Sequence, residues 1–143
     1  GQRLTEGPVI VQFLAEQKPA AGLLPPAGSI ERYRVQEWLN FVASEMHKTY
    51  SPLFRPTTPD EYKKLSRETI GKRLDWLDKH LAGKQYVVGD EFTVADAYLF
   101  AVLRWSARVE IDLNNWPNVK AYVDRVTARP KVQEAMKAEG LLQ

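Results

Sequence analysis

The stretch "GDEFTVADAYLFAVLRW", residues 89–105, decides the fold. Thr93 can accept from the amide of Asp96 while the Asp96 carboxylate reaches back to the amide of Thr93, a capping box that opens a helix. Phe92 stands just before the cap, where a hydrophobic staple sits. From Val94 to Leu103 the run is apolar nearly all round, interrupted only by Asp96. A helix without a polar face belongs in the middle of a bundle. Thr93 and Asp96 are therefore read as a structural capping box. A catalytic role for Asp96 is the weaker reading, because the cap explains both the residue and its spacing.

Working outward, helical signals fill the rest of the chain. Ser29 is a good N-cap, and Ile30, Tyr33, Trp38, Phe41, Val42, Met46 and Tyr50 mark an apolar face that lasts until Pro52. Thr58, Pro59 and Glu61 predict a second capping box, with Tyr62, Leu65, Thr69, Leu74, Leu77 and Leu81 as a buried stripe and Gly83 as the stop. Pro117 starts a helix closed by Arg129-Pro130, and a last short one ends at Gly140. No clear strand is expected after residue 28. Upstream, a few extended residues turn at Glu6-Gly7 into a short helix over 8–16, and the proline- and glycine-rich "KPAAGLLPPAGS" reads as a linker.

Composition narrows the function classes. The chain of 143 residues carries 20 basic and 18 acidic side chains, intermingled, which argues against nucleic acid or an anionic membrane as the main partner. No apolar run reaches the roughly 18 residues a membrane span needs. With no cysteine, disulfides and thiolate metal sites are excluded within these residues. A cytoplasmic address is the expectation. The opening "GQRLTEG" reads as the end of something already under way, so a fragment or processed product is expected.

Two places could carry chemistry. Asn40, Ser44, His47, Lys48 and Ser51 recur at intervals of three or four, which predicts one shared side opposite the apolar stripe. A solvated face near a helix C-terminus explains them, and so does a clamp for a small anionic ligand. Glu6-Gly7-Pro8 offers either an ordinary turn or a helix N-terminus where an anion approaches closely and Glu6 pairs with a ligand amine. No metal is expected: His80, the only other histidine, lies in another helix, and no carboxylate stands at ligand spacing from His47.

Four segments, "LTEGPVIVQFLA", "EWLNFVASEMHKTYSPLF", "GDEFTVADAYLFAVLRW" and "WPNVKAYVDRVTARPKVQEAMKAEGL", together resemble the bacterial beta-class glutathione transferases over essentially the whole chain. The resemblance implies an all-α glutathione-transferase C-terminal bundle over 29–143, a linker over 19–28, and residues 1–18 as the last turn and helix of an α/β thioredoxin-like domain. It also implies that glutathione is the substrate, conjugated through its thiolate to small hydrophobic electrophiles in detoxification. Glu6 and the backbone of Gly7 would hold the γ-glutamyl end, although many members have serine at that position. His47, the implied catalytic donor, would approach the sulfur and Lys48 the glycyl end, with Asn40 along the same groove. Tyr50, Tyr98 and Trp105 would form the electrophile pocket, and the protein would be a homodimer.

The family's cysteine near the start of the thioredoxin-like domain is not among these residues. The chain alone is therefore expected to be a poor catalyst. The competing readings are a non-enzymatic helical interaction module of the same fold and a ligand carrier using the Trp105 pocket.

Overall fold

The computed structural model describes residues 1–142 and is helical throughout; Gln143, the last residue of the expected 29–143 domain, lies outside the described residues. Among the described residues β-structure is confined to one isolated bridge, Tyr86 to Gly89. The helices are α1 (Gly7–Glu16), α2 (Ile30–Phe41), α3 (Lys48–Tyr50), α4 (Asp60–Leu81), α5 (Val94–Leu103), α6 (Pro117–Thr127) and α7 (Pro130–Ala138). A π-helical turn, Val42–His47, joins α2 to α3, and a 3₁₀ turn, Ser51–Phe54, follows. The all-helical expectation holds.

Helix α5 is the centre, as its composition requires. The Thr93–Asp96 capping box forms, and Val94, Ala95, Asp96, Leu99, Phe100, Val102 and Leu103 are buried. It packs against α1, α2, the π turn and α6, while α4 packs along α6. The Asp96 carboxylate accepts from the amides of Val87 and Thr93 at 3.0 and 2.9 Å and from the Tyr122 hydroxyl at 3.1 Å. One side chain thus ties the 84–93 loop and α6 to the start of α5. The N-terminus of α6 is capped from α4, where Asp78 accepts from the amides of Asn118 and Val119 at 2.8 and 3.1 Å.

Several sequence expectations are corrected. The helix after Ser29 is interrupted by the π turn, and its first apolar residues, Ile30 and Tyr33, are exposed; Val35, Trp38, Leu39, Val42, Met46 and Tyr50 are buried. The Thr58–Glu61 capping box does not form. Pro59 occupies the cap position, and the Thr58 amide instead closes a turn onto the Arg55 carbonyl at 3.1 Å. A proline side chain offers no acceptor for the first-turn amides. Likewise, Tyr62 and Leu65 are exposed and the buried stripe of α4 runs through Ser66, Ile70, Leu74, Leu77 and Leu81. Gly83 does end α4's turn in the left-handed region, φ 72°.

The 8–16 helix begins at Gly7, with Pro8 in its first turn, and leaves much of its apolar surface open. Val9, Phe13 and Leu14 are exposed and only Ala15 is fully buried. The linker is not loose. The Leu23 carbonyl accepts from the Val94 amide at 3.0 Å, and Arg32 donates to the Pro25 carbonyl at 3.1 Å while pairing with Glu16. Together with a 3.1 Å bond from Gln36 to Gln12, these contacts dock α1 on α2 and α5.

Candidate functional site

A groove of about 500 Å³ opens where the N-terminus of α1 meets the end of the π turn and the middle of α5. Its walls include Glu6, Gly7, His47, Lys48, Ser51 and Tyr98. Three chain segments, far apart in sequence, converge there.

At one end, Glu6 stands before α1 with φ 69°, a left-handed conformation uncommon for any residue but glycine. That backbone turns the Glu6 carbonyl onto the amides of Val9 and Ile10, both at 3.0 Å. Pro8 has no N–H, so the Gly7 amide is the first-turn donor left for a ligand, at the positive end of the helix dipole. A Cβ built on Gly7 would meet only the Tyr98 ring, at 3.8 Å.

On the opposite wall the π turn carries His47 to Tyr98. The His47 Nδ1 lies 2.7 Å from the Tyr98 hydroxyl, and the imidazole meets Trp105 edge-on with ring centres 4.7 Å apart. Burial first, and the nearby Glu6 carboxylate second, push the Tyr98 phenol above its ordinary value. It therefore keeps its proton at neutral pH, and the hydroxyl anchors the imidazole through Nδ1. Lys48, exposed, adds a positive charge to the same wall.

Three hydroxyls serve the backbone here. Ser44, Thr49 and Ser51 donate to the carbonyls four residues earlier, Asn40, Glu45 and His47, at 2.9, 2.7 and 3.0 Å. A π turn and the proline at 52 disturb the regular ladder, and side-chain hydroxyls satisfy carbonyls beside it.

The structure thus brings together Glu6, Gly7, His47, Lys48 and Tyr98. Trp105 lies behind His47, next to Phe54 at 5.6 Å between ring centres. Two expected site residues do not line the groove. Asn40 is exposed outside it, because the wider π turn breaks the register that an unbroken α-helix would share between residues 40 and 47. Tyr50 is fully buried, 6.2 Å from Trp105 between ring centres, and its hydroxyl bonds Ser106 at 2.7 Å. Burial drives that phenol up to about 12. Conversely, Tyr62, assigned to the core by spacing, lines the groove, as do Arg55 and Thr58. Half-exposed Phe54, beside Trp105, was also missed; the only signal was an aromatic closing the "SPLF" turn.

The groove offers an acid and a helix N-terminus at one end, a cation at the other, and an imidazole with a protonated phenol between them. Such a site suits an elongated zwitterionic anion. Comparison with known proteins identifies the family. A family model, the glutathione S-transferase C-terminal domain, matches residues 41–130. Glutathione S-transferase GstA of Escherichia coli O157:H7 is 46% identical over 141 residues, which cover 99% of this chain and 70% of that protein. The solved glutathione S-transferase of a sphingomonad, complexed with glutathione, superposes with a TM-score of 0.94 at 46% identity, covering 99% of this chain and 71% of that one. The beta-class glutathione S-transferase of Sphingomonas chungbukensis superposes with a TM-score of 0.95 at 46% identity and the same coverage. The chain belongs to the glutathione S-transferases, a transferase enzyme family, and within them to the bacterial beta class.

Proposed function

We propose that the groove holds glutathione lengthwise, with its γ-glutamyl ammonium at Glu6, the adjoining carboxylate at the Gly7 amide, the glycyl carboxylate at Lys48 and the sulfur near His47. The observation that carries this reading is the convergence of Glu6, Gly7, His47, Lys48 and Tyr98 on one groove. An assembly module has no need of it. Residues 1–18 would then be the end of a thioredoxin-like domain, 19–28 a linker, and 29–143 the helical domain.

The chemistry is attack by the glutathione sulfur, its thiol proton released to solvent, on an electrophilic carbon of a small hydrophobic compound; a carbon–sulfur bond forms as the carbon expels a leaving group with its electron pair, or as a π pair moves to a neighbouring atom that then takes a proton, as part of detoxification. A thiolate is the competent nucleophile, and a donor beside it favours the charged form. The His47 N–H is that donor. Tyr98 orients the imidazole through Nδ1, so its role is positioning as well as lining. Phe54 and Trp105 provide apolar surface for the electrophile. No metal takes part in this reading, and a cytoplasmic homodimer is its setting.

Calorimetric titration of glutathione into the chain and into its His47→Ala and Lys48→Ala variants tests the assignment. Weaker binding in both variants is expected. Affinity unchanged by His47→Ala would remove His47 from the site, and affinity unchanged by Lys48→Ala would remove Lys48.

A further inference from the structure

The side of α5 that presents Tyr98 to the groove continues past it. Tyr98, Ala101, Trp105 and Arg108 follow at intervals of three and four, so they share one side of α5 and of the 3₁₀ turn, Arg104–Arg108, that extends it. Beyond the groove this side floors a cavity of about 320 Å³, lined by Ala101, Arg104, Trp105 and Arg108 and, from the turn after α7, by Glu139 and Leu141. Trp105 belongs to both places. Its ring meets His47 edge-on at 4.7 Å and Phe54 at 5.6 Å between centres, and it also lines the cavity. Ala101 is exposed and carries only a methyl group, which leaves the path along the helix open. An electrophile that reacts beside His47 and lies on Trp105 has its far end here.

Charge decides what that end can be. Ala101, Trp105 and Leu141 are apolar, but two guanidiniums stand among them, and among the described residues neither Arg104 nor Arg108 is ion-paired. Arg104 lies over the Phe100 ring, 5.9 Å from its centre. Glu139, the one acid in the lining, is exposed, so positive charge is in excess. A neutral electrophile has no use for that excess. A planar acid does, because a guanidinium holds a carboxylate through two parallel N–H donors.

We propose that Arg104 and Arg108 make this cavity a specificity site for electrophiles that carry an acidic group on a flat apolar body, with the body against Trp105 and the acid at the guanidiniums. This assignment rests on the glutathione reading of the groove and names the class of second substrate. Arg108 follows Trp105 by three residues, about 6 Å along a 3₁₀ turn, so the acid sits roughly one aromatic ring from the reacting carbon. A model electrophile is 4-fluoro-3-nitrobenzoate: the sulfur bonds the fluorinated ring carbon, fluoride leaves with the electron pair of the carbon–fluorine bond, and the thiol proton goes to solvent.

Calorimetric binding of the product, S-(4-carboxy-2-nitrophenyl)glutathione, and of its aryl methyl ester tests the site without turnover. The acid should bind the chain about 10-fold more tightly than the ester, as expected of two exposed charge contacts of about 3-fold each. Arg104→Gln and Arg108→Gln should each cut that preference about 3-fold. Glu139→Gln should raise it by about as much, a gain that no folding defect produces. Equal affinity for acid and ester overturns the proposal, as do arginine variants that weaken both alike, or no binding of either at millimolar concentration. If glutathione itself fails to bind while 4-methylsulfanyl-3-nitrobenzoate, the same aryl acid without the peptide, binds and is weakened by Arg108→Gln, the groove reading fails and the acid site stands.

Discussion

Glu6 pairs a functional charge with a backbone conformation that suits glycine. A non-glycine residue at φ 69° costs about 1–3 kcal/mol and persists only where its surroundings over-determine it. Here the surroundings are the Val9 and Ile10 amides, which need the Glu6 carbonyl in that orientation. Replacing Glu6 with glycine should therefore leave the midpoint of urea unfolding unchanged or higher while glutathione binding falls. A loss of stability comparable to the loss of affinity would show that Glu6 holds the fold instead. Beside it, Gly7 is not forced by its conformation, and the nearest atoms to an added Cβ are at ordinary contact distance. Gly7→Ser should fold normally and, by adding a hydroxyl at the γ-glutamyl end, tighten glutathione; calorimetry showing weaker binding would contradict that placement.

At the scale of the element, the π turn and the capping box do different work. A π turn holds one residue more than the α turn it replaces, so the helix on either side keeps its facing. Val42, Met46 and Tyr50 are buried at intervals of four, the spacing of this wider turn, and His47 rides one position behind Met46. Deleting Ser44 should restore a plain α-helix and leave His47 against Tyr98 and Trp105. Inserting an alanine after Ser44 should rotate the imidazole about 100° away, the advance of one residue in a helix turning every 3.6 residues. The ring-current-shifted His47 resonance reads both; a deletion that moves it and an insertion that does not would reverse the assignment. In α5, Asp96 accepts from two amides, the Thr93 hydroxyl and the Tyr122 hydroxyl. Asp96→Asn sets an NH₂ group among donors, so a cost of about 2–4 kcal/mol is expected in denaturant unfolding. A change under about 0.5 kcal/mol would mean that the box is dispensable.

Across the whole molecule, one histidine links pH to stability. Burial above all, with Lys84 adding to it, lowers the His80 pKa from 6.5, against the Val87 carbonyl bond and Glu37, which pull it up. The unfolded chain then takes up a proton more readily than the native one, so stability is lost as pH falls below about 6.5. The drop in unfolding midpoint between pH 7.5 and 5.5 should shrink in His80→Gln. An equal drop in both would place the pH sensitivity elsewhere. The exposed Ile30 and Tyr33 on α2 and Leu65 on α4 are apolar surface that the proposed homodimer would cover. What the sequence by itself determined is local: the Thr93–Asp96 box, the apolar run of α5 and the Gly83 stop. These depend on residues within one or two turns of each other, so spacing carries them. Tertiary structure alone decided the facing. The buried stripe of α4 shifted from Leu65 and Thr69 to Ser66 and Ile70, α1 turned Phe13 and Leu14 outward, Asn40 left the groove, and Tyr98 met His47 across 51 positions. Periodicity assumes 3.6 residues per turn throughout, and the π turn invalidates that count between Asn40 and His47. Which apolar face is buried depends on the partner helix available, and that partner is set by the packing of the complete bundle.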